Sequence, residues 1–327
     1  MLRPVPRISA GENGAGKLCV VRGHPAASRG FLNSARALLA LLTLESALIN
    51  FAVAAAAGDG GTGSAALALH NSARIPFKLY QGYVIVMQGS LGDLDHQNLL
   101  LDTGTNPSMI DTRAAAQLGL HGMPRNVSLF NQHLISENVT LPSLHSGSIQ
   151  KQNFPVVVAD LSRLGRELGT RIDAVIGLDV LGGRNFTLDY EKKHLVLGAS
   201  NQAHAVPFTA GPQFIGVDLK AGSRQLHLLV DTGTPQLVLF RNHLSDVDYT
   251  STSRTGSGQN ISSDVSYEAI VLLQARLGTQ QIGPQSASVV TSQQEITTEY
   301  DGLIGLACMR PKRVSFDFEH QVLGWSD

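Results

Sequence analysis

The feature that most constrains this chain is an Asp-Thr-Gly-Thr tetrapeptide that occurs twice, each time where an apolar run ends. The first copy lies in LLLDTGTNPSMID (Leu99 to Asp111) and the second in LLVDTGTPQLVLF (Leu228 to Phe240), so Asp102 and Asp231 stand 129 residues apart. At ordinary residue frequencies one Asp-Thr-Gly turns up by chance in about one chain in fifteen of this length. Two copies with matched flanks point instead to an internal duplication, and other landmarks keep the same spacing. DAVIGLDVL (Asp173 to Leu181) and DGLIGLACM (Asp301 to Met309) are 128 residues apart, as are FTLDYE (Phe186 to Glu191) and VSFDFE (Val314 to Glu319). Each half opens on an apolar-Pro-Phe tripeptide, Ile75 to Phe77 and Val206 to Phe208, and closes on a short apolar strand.

A chain of 327 residues, 43% of them hydrophobic and 16% charged, can bury one large core or two modest ones. The repeat divides it into an N-terminal lobe over 74–200 and a C-terminal lobe over 201–327. From Phe77 onward FKLYQGYVIVM alternates and is rich in β-formers, and many short strands punctuated by glycine follow. Short helices are predicted at TRAAAQL, capped by Asp111 and closed by Gly119, and at LSRLGREL, capped by Asp160 and stopped by Gly169. The second half has fewer helical residues, and Thr250 to Ser263 reads as a Ser/Thr/Gly-rich loop whose Gly256 to Gly258 form a mobile tip. The expected class is all-β, with two similar lobes.

Residues 1–57 carry six Lys/Arg against Glu12 and Glu45, and end in the apolar run ALLALLTLESALINFAVAAAA (Ala37 to Ala57). Basic residues, an apolar stretch and an Ala-rich end make a leader with a signal peptide or membrane anchor. Its positive flank predicts repeats exported across a membrane: periplasmic, secreted, or anchored with the lobes outside. The Gly-rich 58–73 is a flexible linker. The remaining 19 basic and 24 acidic residues give a net charge of −5, which argues against nucleic acid as a partner. Cys19 lies in the leader and Cys308 in the second repeat, so no internal disulfide is expected in a mature chain. The eleven histidines show no ligand spacing, which gives a metal site no support, and no cofactor is implied. Four N-x-S/T sites begin at Asn126, Asn138, Asn185 and Asn260.

Two carboxylates forced together cannot both ionise cheaply, so one keeps its proton. A water between them can then lose a proton to the charged member while the neutral member donates to an oxygen gaining charge. Gly104 and Gly233 leave no side chain beside the carboxylates, and their backbone N–H groups can point at the Asp oxygens. Thr103 and Thr232 can turn inward and cross-brace the two loops. Thr105 and Thr234 can donate to the outer carboxylate oxygens. Asp173 and Asp301 recur too, each before an apolar Gly turn, where a capping role is expected; Asp189 and Asp317 read as solvated strand positions.

The repeated DTGT, each followed by an apolar-apolar-Gly motif (Val175-Ile176-Gly177 and Leu303-Ile304-Gly305), resembles the aspartic proteases over residues 74 to 327. Two active-site aspartates in one chain resemble the bilobal pepsin-like acid protease fold, and the short repeats look like retropepsin-like units joined in tandem. By that resemblance Asp102 and Asp231 are the catalytic pair of an aspartic endopeptidase. The substrate is an extended polypeptide across both lobes, and the chain is monomeric with an internal pseudo-two-fold. The pepsin-like flap tyrosine is absent from the first half, where no tyrosine falls between Tyr83 and Tyr190; Tyr267 sits at a comparable position in the second. Two alternatives stand beside this: a non-catalytic peptide-binding module on the same fold, and an obligate dimer of whole chains.

Overall fold

The computed structural model describes residues 74–129, 132–181, 183–211, 214–259, 264–291 and 299–327. The leader and linker expected over 1–73, Cys19 and the Asn260 sequon lie outside the described residues. In chain order the first half contains β1 (Arg74–Tyr80), β2 (Val84–Leu91), β3 (Leu94–Leu101), β4 (Met109–Asp111), α1 (Thr112–Gln117), β5 (Met123–Leu129), β6 (Gln132–Ser146), β7 (Ile149–Ala159), α2 (Ser162–Leu168), β8 (Ala174–Ile176), α3 (Leu178–Leu181), β9 (Phe186–Asp189) and β10 (His194–Leu197). The second half contains β11 (His204–Ala210), β12 (Ile215–Ala221), β13 (Arg224–Asp231), β14 (Leu237–Phe240), β15 (Tyr249–Gln259), β16 (Asp264–Leu272), β17 (Ala275–Leu277), β18 (Gln280–Gln281), β19 (Gln285–Val290), β20 (Gly302–Gly305), β21 (Arg313–Asp317) and β22 (Val322–Ser326). The fold is strand-rich and all-β.

One pairing pattern occurs around each aspartate. β3 runs parallel to β8, which pairs antiparallel with β4, and β4 runs parallel to β7. Likewise β13 runs parallel to β20, which pairs antiparallel with β14, and β14 runs parallel to β19. Burial on both faces explains why LLL and LLV read as unbroken apolar runs rather than alternating ones. Leu99, Leu100, Leu101, Leu228, Leu229 and Val230 are all buried.

A third set of strands draws on both halves: β1–β10–β9–β21–β22–β11, antiparallel throughout. Its centre is the β9–β21 pair, where Phe186 faces Phe316 with ring centroids 4.4 Å apart. The Thr187 hydroxyl donates to Ser315 Oγ at 3.2 Å. Asn185 Nδ2 donates to Asp317 Oδ1 on one side and Arg313 Nε to Asp189 Oδ2 on the other. Asp189 is therefore buried in an ion pair, not solvated as its strand position suggested, because a strand from the other half covers it. Phe186→Ala would empty the middle of this set and is expected to cost about 3–5 kcal/mol in denaturant unfolding.

The helices follow their sequence signals closely. Asp111 accepts the Arg113 N–H and caps α1. α2 starts one residue later than expected: its N-cap is Leu161, without a side-chain cap, while Asp160 just before it accepts the Ser162 N–H at 2.9 Å, and the helix ends on left-handed Gly169. FKLYQGYVIVM is two strands, since Gln81 and Gly82 both take positive φ and turn the chain into a hairpin. The expected loop at Thr250 to Ser263 is strand β15 as far as Gln259, paired with β16. Glycine reaches this strand because the Tyr267 ring lies across Gly256, where an added Cβ would come within 2.6 Å of its hydroxyl.

Candidate active site

Asp102 follows the last residue of β3, and Asp231 is the last residue of β13. Both are fully buried. The loops they open interlock through their second residues. Thr103 Oγ1 donates to Val230 O (2.8 Å) and accepts the Thr232 N–H (3.1 Å). Thr232 Oγ1 donates to Leu101 O (3.1 Å) and accepts the Thr103 N–H (3.0 Å). Four buried hydrogen bonds thus tie the strand ends of the two halves together.

The third residues bring the carboxyls into the same place. Gly104 N–H donates to Asp102 Oδ1 at 2.8 Å, and Gly233 N–H to Asp231 Oδ1 at 2.6 Å. Each glycine also abuts the opposite carboxyl. A Cβ on Gly104 would sit 2.8 Å from Asp231 Cγ, and one on Gly233 would sit 2.8 Å from Asp102 Oδ2. Any side chain there collides with a buried carboxyl. Gly104→Ala and Gly233→Ala are each expected to destabilise the chain by about 1–3 kcal/mol through overpacking, read by thermal unfolding.

The fourth residues differ. Thr105 Oγ1 donates to Asp102 Oδ2 at 2.8 Å, whereas the Thr234 hydroxyl makes no such bond to Asp231. Among the described residues, the buried Thr234 hydroxyl and Asp231 Oδ2 have no hydrogen-bond partner within the protein. Burial raises the pKa of Asp102, opposed by the adjacent Asp231 carboxyl and by the hydrogen bonds from Gly104 and Thr105. Burial pushes Asp231 well above the ordinary carboxylate range, helped by the neighbouring Asp102 charge. Both carboxyls are thus held above the ordinary carboxylate range, Asp231 further than Asp102, and neighbouring buried carboxyls favour one charge over two.

A family model described as aspartyl protease matches residues 87–180. That stretch runs from β2 through the Asp102 loop and Gly177, and indicates a distant aspartic-protease relationship. No curated protein matches the chain.

The apolar-Gly motifs brace the loops from behind. An added Cβ at Gly177 would meet Thr105 O at 1.9 Å, and one at Gly305 would meet Thr234 O at 2.2 Å. Gly177 N–H donates to Ser108 Oγ (2.9 Å), and Ser108 in turn donates its N–H and hydroxyl to Asp179. Burial raises Asp179 despite these bonds. The Ser108–Asp179 pair escaped the sequence reading, for it has no counterpart in the second repeat to draw notice. Asp173 and Asp301 are strand clamps rather than caps: each accepts a backbone N–H from the strand leading into an aspartate, at Asn98 and His227. Among the described residues no three His, Cys, Asp or Glu side chains could share a metal ion, and no helix could cross a membrane.

Proposed function

We propose that this chain is an aspartic-type endopeptidase that hydrolyses peptide bonds by water attack between Asp102 and Asp231. The observation that carries the reading is the mutual approach of the two loops, each glycine lying against the other half's carboxyl. In this scheme ionised Asp102, held by the Thr105 hydroxyl, takes a proton from the water as its oxygen attacks the carbonyl carbon. Asp231 gives its proton to the carbonyl oxygen. Collapse of the tetrahedral adduct returns that proton to Asp231 while Asp102 passes its own to the leaving nitrogen. The cycle ends with both side chains in their starting states.

The same reading assigns the two repeats, 74–200 and 201–327, to retropepsin-like lobes of a bilobal pepsin-like architecture. The recurrent strand pairing and the β9–β21 centre support it. An extended polypeptide is then the substrate, the working unit is a monomer, and the basic, apolar leader fits an exported protein. Incubation with a broad peptide library between pH 3 and pH 8 tests the proposal. Cleavage that a statine-containing peptide blocks is the expected result, since its hydroxyl can replace the attacking water. Peptide binding without cleavage would overturn the hydrolytic reading in favour of a binding module.

A further inference from the structure

The brace behind Asp102 runs through a single peptide group, the one joining Ile176 to Gly177. Its oxygen, Ile176 O, accepts the Asp102 N–H (2.9 Å), and its N–H, on Gly177, donates to Ser108 Oγ (2.9 Å). The group is planar, so fixing one side fixes the other. Ser108 is buried and engaged at every polar atom. Its N–H donates to Asp179 Oδ2 (2.8 Å), its hydroxyl donates to Asp179 Oδ1 (2.6 Å), and its carbonyl accepts the Val157 N–H of β7 (3.0 Å). The Val180 N–H also donates to Asp179 Oδ1 (2.9 Å).

At the spacing of the repeat, the second half has Leu237 in place of Ser108 and Ala307 in place of Asp179. Neither side chain can donate or accept. There the Gly305 N–H donates to a backbone carbonyl, Gln236 O (3.0 Å). The loop must turn its own backbone toward the glycine, where the first half reaches across with a side chain. An added Cβ at Gly305 would come within 2.7 Å of Gln236 N, whereas at Gly177 the nearest group beyond Thr105 is Asp179 Oδ1, at 3.1 Å.

The half with the side-chain brace is also the half whose threonine reaches its aspartate. Thr105 Oγ1 donates to Asp102 Oδ2 (2.8 Å), while the buried Thr234 hydroxyl has no partner. We infer that Ser108 and Asp179 are positioning residues for Asp102, holding residues 105–108 so that the Thr105 hydroxyl seats on its carboxyl. The reaction role of Asp102 itself rests on the proposed hydrolysis. A donor to the charged form favours ionisation, so unseating the hydroxyl moves the ionisation of Asp102 to higher pH. Ser108 is neutral, and replacing it with alanine leaves in place Lys151 of β7, whose charge acts on Asp179, and Asp231 beside Asp102.

The test is a pH titration by NMR of the full chain carrying 13C at its aspartate carboxyls, with the Asp102 signal identified by its loss in Asp102→Asn. Ser108→Ala and Thr105→Val should each raise the Asp102 step by about one pH unit, a tenfold smaller ionised fraction below the midpoint. Because both act through one hydroxyl, the double variant should rise no further than either alone. Ser108→Thr keeps a hydroxyl and should titrate with wild type. Should Ser108→Ala fail to fold, Ser108→Leu with Asp179→Ala carries the pair on which the second half is built. It should show the same rise, opposite in sign to the effect of merely removing a neighbouring carboxylate. A wild-type midpoint in the variant measured, or shifts that add in the double variant, would overturn the inference. In an active chain the acid limb of kcat/KM should move in the same order, whereas simple loosening would lower the rate at every pH. The titration needs no turnover. A chain that cuts no peptide yet shows these shifts would refute the protease and keep the positioning role.

Discussion

Asp102→Asn and Asp231→Asn are each expected to lower peptide-bond hydrolysis by about 10⁴-fold, the upper end of what a positioned acid or base supplies. Asparagine keeps the shape and the Gly104 or Gly233 hydrogen bond but can neither take nor give the proton the scheme requires. Initial-rate measurements on a quenched-fluorescence peptide would show the loss, and circular dichroism should show the fold unchanged. The two variants also predict a stability signature. A buried carboxyl with a raised folded pKa binds its proton more tightly folded than unfolded, so stability falls as pH rises through that range. Asp231 is the more strongly raised of the pair, so Asp231→Asn should flatten the decline in melting temperature from acid to neutral pH. Substantial residual turnover in either variant would remove the proposed chemistry.

Thr103→Val is expected to be among the most damaging single substitutions outside the carboxyls, although it keeps the side-chain shape. It would orphan the buried Val230 carbonyl and Thr232 amide, which the Thr103 hydroxyl now satisfies. Leaving two such groups unpaired costs about 3 kcal/mol, which for a chain of this size lowers the melting temperature by roughly 6–12 °C. Thr232→Val should match it, since it orphans Leu101 O and the Thr103 amide. Thr103→Ser keeps the hydroxyl and should stay within about 1 kcal/mol of wild type. Because the four bonds tie one half to the other, the valine variants should also lose activity beyond what their stability loss explains. A valine variant that melts with wild type would show that the halves are held by other contacts.

Much of this site is legible in the sequence. The repeat placed both aspartates at the ends of buried strands, and burial alone suits an apolar run entering a polar loop. Asp173 and Asp301 stand out in the sequence as recurring acids, but their position before an apolar Gly turn suggests a local cap rather than a clamp. Their partners, Asn98 and His227, lie 75 and 74 residues away, beyond any local pattern. Arg113 and His243 occupy comparable places after the two loops, yet only the structure sets the first against Asp173 and the second against Asp301. The Gly-rich β15 departs from its sequence expectation for the opposite reason. Glycine and serine weaken a strand locally, and only the Tyr267 ring and the pairing with β16 override that preference.

The sequence by itself determined the duplication, the all-β class and the identity of the two acids, because these are properties of periodic pattern and of residues repeated at fixed spacing. Tertiary structure alone decided that the loops interlock, that each glycine faces the opposite carboxyl, and that Thr105 donates a hydroxyl where Thr234 does not. The first two are relations between segments about 129 residues apart, and the third is set by how each loop packs. Packing chooses them by burying both carboxyls together, where the cost of unpaired charge and unsatisfied backbone groups allows few arrangements.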